Sequence, residues 1–371
     1  MYPLKKGKYA KQAHVNLPEG TYEEEHGREA FSGAASHLYR THPPTAWTRI
    51  DGPLRPRAFR LKDLECADER DPRALPTLCL SNPEFGYSIS RRRKAMDYFF
   101  RNADGDELYF IHAGTGRLES DFGTLPYDSG DYLVIPKGTT YRFVPETEEN
   151  FFVIMETSGM LHPPEKGLLG QHALYDPAVI RTPEPHPVDE KKEWEIRIKR
   201  EGELTSVFYP FNPMDVVGWK GDLSIWSINV TDLRPVVGPR GHLPPSVHTT
   251  FVSEAGMNVQ TFVPRPLEED PDCVKVPFYH RNIDFDEVIF YHDGQFFSRS
   301  GIDRGMITLH PYGIHHGPQP GAIQASKTKN RTNEVAVLVE AQKPLKVHPD
   351  LEKIEWAEYY LSWREEPAGK A

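Results

Sequence analysis

Cysteine is scarce in this chain. Cys66, Cys79 and Cys273 are the three cysteines among 371 residues, and no two of them form a CxxC pair. An odd number without such spacing indicates neither a disulfide framework nor a thiolate zinc site. We therefore expect three free thiols.

Long apolar runs and excess positive charge are also missing. Residues 1–14, MYPLKKGKYAKQAH, lack the apolar stretch of a secretory signal, and no later segment approaches the length of a membrane span. The formal net charge is −10, which disfavours a general surface for nucleic acid or anionic lipid. The sequence predicts a cytoplasmic protein that contacts neither nucleic acid nor membrane.

Short strands account best for what is present. The 34 prolines and 28 glycines are scattered through the chain, as expected for many strands joined by turns. Residues 191–199, 258–263 and 334–339 alternate apolar and polar side chains at the period of a strand. Near the C-terminus, Leu351, Ile354 and Leu361 have helical spacing and predict a surface helix. The pattern as a whole favours an all-β fold.

An internal repeat divides the chain. Each copy carries Arg-Asn, then Asp-Glu, then a strand, then a G-x5-P-x-G-x2 segment that ends on Tyr or His; the copies span residues 101–141 and 281–316. This pattern resembles the motif pair of the cupin barrel, whose inward side chains converge. We predict a bicupin, all-β, with two jelly-roll barrels and a few surface helices. The proline-rich connection at 157–190 suggests domains at 1–185 and at 186–371, the second including the C-terminal helix.

The two copies differ where a cupin binds metal. The matching positions hold Phe100, Glu107 and Tyr141 in the first copy and His280, Glu287 and His316 in the second. Phe and Tyr cannot replace two imidazoles, so the first barrel is predicted to be metal-free. Two His and one carboxylate form the triad of non-haem Fe(II) sites, which leaves positions open for a substrate and O2. Asn282 stands where many cupins have another His, so it frees a position or orients a ligand.

The second half resembles the homogentisate 1,2-dioxygenases in four segments: PFNPMDVVGWKGDL at 210–223, HLPPSV at 242–247, PFYHRN at 277–282 and LHPYGIHHGP at 309–318. The resemblance implies an Fe(II) enzyme that inserts both atoms of O2 into the ring of 2,5-dihydroxyphenylacetate. The product would be maleylacetoacetate, in tyrosine and phenylalanine breakdown.

The resemblance also implies residue roles. His280, Glu287 and His316 would be the iron ligands, His242 would take a proton from a substrate phenol, and His310 would line the oxygen and substrate pocket. Asn282 would support the ligand sphere.

Two departures from the family leave alternatives open. The step from His280 to Glu287 is one residue longer than usual, which makes Asp286 a rival ligand. Phe296 stands where the family has a Tyr that holds the substrate carboxylate, so Tyr291, Arg299 or Arg265 are alternative contacts. Another hydroquinone or a gentisate-like compound therefore remains an alternative substrate.

Other functional classes also fit parts of the sequence. The same three ligands could hold Zn or Mn as a Lewis acid in a cupin isomerase or lyase, and a degenerate first barrel is compatible with a bicupin that only binds or stores. The intact ligand set favours the enzyme. Its expected partners are a small aromatic substrate, O2 and further copies of the chain in a homo-oligomer.

Overall fold

The computed structural model describes residues 4–275, 278–296 and 298–364. Within these ranges the chain forms 23 strands but only three short α-helices and six 3-10 turns, which confirms the predicted all-β class. No helix in this described part is long and apolar enough to cross a membrane. The three cysteines are free and buried.

The strands are short, and most begin or end at a turn. In chain order they are β1 (Tyr22–Glu29), β2 (Ser32–Arg40), β3 (Arg57–Arg60), β4 (Thr77–Ser81), β5 (Phe85–Ser90), β6 (Phe99–Asn102), β7 (Asp106–Ala113), β8 (Gly116–Ser120), β9 (Gly123–Tyr127), β10 (Asp131–Ile135), β11 (Thr140–Pro145), β12 (Phe151–Thr157), β13 (Leu161–His162), β14 (Trp194–Arg200), β15 (Glu203–Tyr209), β16 (Trp226–Asn229), β17 (Thr249–Ser253), β18 (Met257–Phe262), β19 (Tyr279–Asn282), β20 (Phe285–Asp293), β21 (Met306–His310), β22 (Val335–Gln342) and β23 (Lys346–Val347).

The helical segments lie between strands and after the last strand. The α-helices are α1 (Ala67–Arg70), α2 (Pro320–Ser326) and α3 (Pro349–Glu352). The 3-10 turns are Leu61–Asp63, Gly167–Leu169, Pro177–Val179, Val230–Asp232, Pro245–His248 and Tyr359–Trp363.

Two seven-stranded sheets repeat one strand order. The first runs β16-β10-β7-β12-β5-β4-β23, and the second runs β3-β21-β20-β22-β18-β17-β13. Smaller sheets, β15-β14-β6-β11-β8-β9 and β2-β1-β19, complete the two barrels. The strands that carry the repeated motifs, β6, β7 and β10 against β19, β20 and β21, occupy corresponding places. The internal repeat is therefore a structural duplication, as predicted for a bicupin.

Each barrel includes strands from both halves of the sequence. The hairpin of β1 and β2, with β3 and β13, belongs to the second barrel, whereas β14, β15, β16 and β23 belong to the first. Strand pairing therefore crosses residue 185 in both directions. The division into domains at 1–185 and 186–371 stays a prediction about folding units.

Strand parity decides which side chains face a barrel interior. Alternate residues of a strand point to opposite faces. On β20, Val288 and Phe290 join the core cluster shared by both barrels, whereas Ile289 and Tyr291 join a cluster inside the second barrel. Glu287 has the same parity as Ile289 and Tyr291, so it faces the interior of the second barrel.

The predicted helix across Leu351 to Leu361 was wrong as a continuous surface element. Helix α3 ends at Glu352, turns follow, and a 3-10 turn begins at Tyr359. Tyr359 and Trp363 are 0% and 1% exposed. Their rings pack against each other and against His310 inside the barrel, so the apolar spacing reflects inward packing.

Candidate metal centre

Three different segments bring the predicted ligands together. His280 lies on β19, Glu287 lies on β20, and His316 follows β21. The backbone N–H groups of His280 and His316 each donate to the carbonyl of the other, both at 3.0 Å. A Cβ atom at Gly317 would lie 2.7 Å from the Phe278 carbonyl oxygen, and its φ is +136°. The glycine after His316 thus allows this close backbone approach.

Donor atoms of the three side chains surround one small space. The Nε2 atoms of His280 and His316 lie 3.7 Å and 3.6 Å from Oε2 of Glu287. Within the described residues neither Nε2 atom has a hydrogen-bond partner. Ligands that share one ion at about 2.1 Å lie roughly 3 to 4 Å apart. The spacing fits a shared ion better than direct hydrogen bonds.

Backbone carbonyls fix the orientation of both imidazoles. Nδ1 of His280 lies 3.1 Å from the Phe278 carbonyl oxygen, and Nδ1 of His316 lies 3.4 Å from that of Ile314. A ring nitrogen that faces a carbonyl carries the proton, so the Nε2 lone pairs point to the shared space. This is the arrangement that metal-binding histidines usually have.

The protonation states also suit a metal. Burial opposes the ionisation of Glu287, but His316, His280 and His310 hold its pKa well below the usual value. Burial and the neighbouring His280 lower the pKa of His316 to about 3. An ionised carboxylate and a neutral imidazole are the forms that coordinate a cation.

Asp286 is occupied elsewhere. Its Oδ1 and Oδ2 atoms each accept a backbone N–H at 2.8 Å, from Tyr312 and Leu345. In the first barrel Asp106 accepts two backbone N–H groups in the same way. The structure therefore brings Glu287, and not its rival Asp286, to the two histidines.

A second group of metal-ligand residue types has a different geometry. His14, Glu23 and His37 also lie close together, but Nδ1 of His14 is 2.8 Å from Oε2 of Glu23. Burial opposes ionisation of Glu23, yet hydrogen bonds from His14 and His37 lower its pKa to about 2. His14 and Glu23 are thus in direct hydrogen-bond contact, unlike the separated donors of the predicted ligands.

A cavity of about 80 Å³ opens beside the predicted ligands His280 and Glu287. His242 and Tyr291 line it, together with Arg265 and Arg299. Nδ1 of His242 lies 2.7 Å from Oε1 of Glu268. Burial lowers the pKa of His242 although Glu268 opposes this effect. A neutral His242 therefore donates from Nδ1 to Glu268 and keeps Nε2 as a proton acceptor.

The other predicted site residues lie in different places. Phe296 packs on the ring of Tyr291 at a centroid distance of 4.9 Å, but Phe296, Asn282 and His310 are not among the residues that line the cavity. Asn282 is buried at the end of β19, and its Nδ2 atom has no hydrogen-bond partner in the described part of the chain. His310 lies behind Glu287, to which its Nδ1 donates at 2.6 Å. Their predicted roles stay predictions.

The remaining histidines near the ligands in sequence do not converge on the centre. His315 bonds Glu24 at 2.8 Å, and His292 bonds His112 between the barrels at 2.8 Å. Sequence reasoning missed Glu268 and Tyr359, because neither stands in a repeated motif. Tyr359 places its hydroxyl 3.1 Å from Nε2 of His310.

Comparisons with known proteins identify relatives among the dioxygenases. The family model for the homogentisate 1,2-dioxygenase N-terminal region matches residues 83–230. A Saccharolobus solfataricus protein, provisionally named as a dioxygenase, is 35% identical over 97% of this chain and 98% of its own length. Homogentisate 1,2-dioxygenase of Nitrobacter hamburgensis is 29% identical over 69% of this chain, and the match spans 60% of that enzyme. The homologous enzyme of Rhodopseudomonas palustris strain BisB5 is 27% identical over 85% of this chain and 74% of its own length.

Proposed function

This chain belongs to the homogentisate 1,2-dioxygenase family of cupins, and we propose that it is an Fe(II) dioxygenase that opens the ring of homogentisate with O2. The product would be maleylacetoacetate, and the reaction would serve the breakdown of tyrosine and phenylalanine. An open three-ligand centre beside a buried, oriented base supports this proposal.

The donor set carries the proposal. Two Nε2 atoms without partners among the described residues face one ionised carboxylate oxygen. With two His and one Glu, three coordination positions remain for other molecules. Bound Fe(II) would supply a place where a hydroquinone and O2 meet and exchange electrons. The residues His280, Glu287 and His316 would hold it.

His242 fits the role of proton acceptor. Its Nδ1–H group is held by Glu268 at 2.7 Å, and it lines the same cavity as His280. An acceptor that is neutral near pH 7 can remove a proton from a substrate phenol. Glu268 would stabilise the imidazolium that results and keep the ring in place.

Two buried cations favour an acidic substrate. Arg265 and Arg299 line the cavity and are both 7% exposed. Nη1 of Arg299 donates to the Gly317 carbonyl at 2.7 Å, whereas its Nε has no partner in the described residues. A substrate carboxylate would accept a hydrogen bond from this Nε–H group. Homogentisate carries such a group, and so do gentisate-like compounds, which are the alternative substrates.

Oxygen consumption tests the proposal. Protein purified without metal should be loaded with Fe(II) under anaerobic conditions and mixed with homogentisate, gentisate or uncharged methylhydroquinone in an oxygen electrode. We expect one O2 consumed for each homogentisate and a new absorbing ring-opened product, with a His316→Ala variant inactive. No uptake with any of the three compounds would exclude this function, and turnover under argon would favour a Zn or Mn isomerase instead.

We also propose that the chain forms a homo-oligomer. Phe208, Phe211, Val217 and Leu223 are 57%, 42%, 84% and 63% exposed. A contiguous patch of exposed apolar side chains is typical of an interaction surface, and these four residues lie between positions 208 and 223. Light scattering on the purified protein measures the mass, and a monomer would contradict this proposal.

A further inference from the structure

The first barrel contains a cavity that the proposed reaction does not use. Its volume is about 400 Å³, five times that of the cavity beside the metal centre. Phe100, Glu107 and Tyr141 line it, and they occupy the repeat positions of His280, Glu287 and His316. The first barrel has thus kept an interior site of the duplicated fold without the metal ligands.

A carboxyl group lies at the inner end of this cavity. Tyr141 donates its hydroxyl to Oε2 of Glu107 at 2.8 Å, and the Tyr109 hydroxyl lies 2.9 Å from that of Tyr141. Glu107 is only 4% exposed. Burial and the nearby Glu156 raise its pKa to about 8. Nearby Lys199 offsets this effect only in part, and among the described residues Glu107 forms no direct ion pair of the kind that a buried carboxylate normally requires.

The charges around the cavity are mainly negative. Four acidic residues, Glu84, Asp104, Glu107 and Glu156, line it, against the basic residues Arg92 and Lys199. Both basic groups are already engaged. Arg92 lies 3.6 Å from Asp68 and donates to the Ala74 carbonyl at 2.9 Å, and Lys199 is bonded to Glu156. Three of the acidic groups are paired too, Glu84 with Lys343, and Asp104 and Glu156 with Lys199. Glu107 is therefore the lining carboxyl without an ion pair in the described residues, and an entering cation could meet it.

Aromatic side chains form the walls. Tyr98, Phe100, Phe143 and Phe152 line the cavity and are at most 6% exposed. The hydroxyl of Tyr98 has no hydrogen-bond partner in the described part of the chain. Aromatic faces stack on a ring and attract a cation. The walls and the charges together favour a ligand that is both aromatic and positively charged.

We propose that the first barrel binds a single-ring aromatic amine in its cationic form. The ammonium group contacts Glu107, whose carboxyl releases its proton to solvent when the cation binds, and the ring lies against the aromatic walls. The cavity of the second barrel differs, since two arginines, Arg265 and Arg299, line it beside Glu287 and Glu334. This site does not depend on the proposed dioxygenase activity, because it lies in the barrel without the predicted ligands.

Calorimetric titration with tyramine tests the site in the full-length protein. We expect one tyramine bound per chain, with Glu107→Gln weakening its affinity at least tenfold. Glu156→Gln provides a second variant with a partly exposed side chain, in case Glu107→Gln does not fold, and should weaken binding at least threefold. The matched control is Glu334→Gln, which removes a carboxylate from the cavity of the second barrel and should leave tyramine affinity unchanged.

Three results would overturn the proposal: no tyramine binding to the folded wild-type protein, equal affinity in wild type, Glu107→Gln and Glu156→Gln, or loss of binding in Glu334→Gln alone. Titration with 4-hydroxyphenylacetate, an acid with the same ring, provides a further check. Its binding should be insensitive to Glu107→Gln. If Glu107→Gln weakened binding of the acid as much as binding of tyramine, the charge assignment would be wrong.

Discussion

Nδ1 of His310 lies 2.6 Å from Oε1 of Glu287, the carboxylate oxygen that does not face the two predicted ligand histidines. On its other side, Nε2 of His310 lies 3.1 Å from the Tyr359 hydroxyl. One oxygen of Glu287 is therefore held by the protein while the other is directed to the metal position. The hydrogen-bonded series Tyr359–His310–Glu287 orients the carboxylate towards that position.

Removal of His310 should weaken iron binding. Groups that orient a metal ligand typically contribute about 10- to 100-fold in affinity. We expect His310→Ala to raise the dissociation constant for Fe(II) by that factor and Tyr359→Phe to have a smaller effect, measured by competition with a chelator. His315→Ala is the control, because His315 bonds Glu24. Equal affinity in His310→Ala and wild type would show that Glu287 needs no such support.

Substitution of Glu287 should affect metal binding, whereas substitution of Asp286 should affect stability. Glu287→Gln should abolish stoichiometric iron binding, because a neutral amide is a poor ligand. Asp286→Asn should keep the iron but lose about 1–3 kcal/mol of unfolding free energy, since two backbone N–H groups lose an ionised acceptor. Metal analysis and urea denaturation of both variants measure the two effects. The reverse pattern would make Asp286 the ligand.

The barrel could be predicted from the sequence because the fold is duplicated. The repeat marked β6, β7 and β10 and their counterparts, and strand period predicted β14, β18 and β22. The exchange of β3, β13, β16 and β23 between barrels could not be predicted, because pairing between distant short strands leaves no local pattern. The same limit explains the wrong helix, because Leu351 packs in the shared core whereas Tyr359 packs on His310.

The candidate site could also be predicted from the sequence in part. His280, Glu287 and His316 stand in repeated motifs, and comparison of the two copies singles them out. The alignment of Glu287 with Glu107 favoured it over Asp286, and strand parity and two backbone hydrogen bonds explain this choice. Glu268 could not be found, because its link to His242 depends on how a loop folds back. In the first-barrel cavity Glu107 stands in the repeat, whereas Glu84, Glu156 and Lys199 come from segments that share no motif.

Glu268 should position His242 and set its pKa. Glu268 raises the pKa of His242 against the effect of burial, so Glu268→Gln should lower it. If His242 acts only when neutral, the acidic limb of the profile of kcat/KM against pH should then move to lower pH. We also expect kcat to fall about tenfold with iron content unchanged, and His242→Ala to lose 100-fold or more. An unshifted pH profile would leave Glu268 with a structural role only.

Stability of the first barrel should depend on Glu107 and pH. In the folded protein the pKa of Glu107 is raised from 4.5 to about 8. Between these pH values the folded state therefore binds more protons than the unfolded state. The unfolding free energy of the wild type should therefore fall as pH rises from 4.5 to 8.

Glu107→Gln removes this loss, because its neutral amide has no proton to release. Relative to wild type, the variant should gain on the order of a few kcal/mol between pH 5 and pH 8, measured by urea denaturation at both values. Glu146→Gln is the control, since the Glu146 side chain is 57% exposed. If both variants followed the wild-type pH dependence, Glu107 would be ionised in the folded protein, and the cavity would already contain a compensating cation.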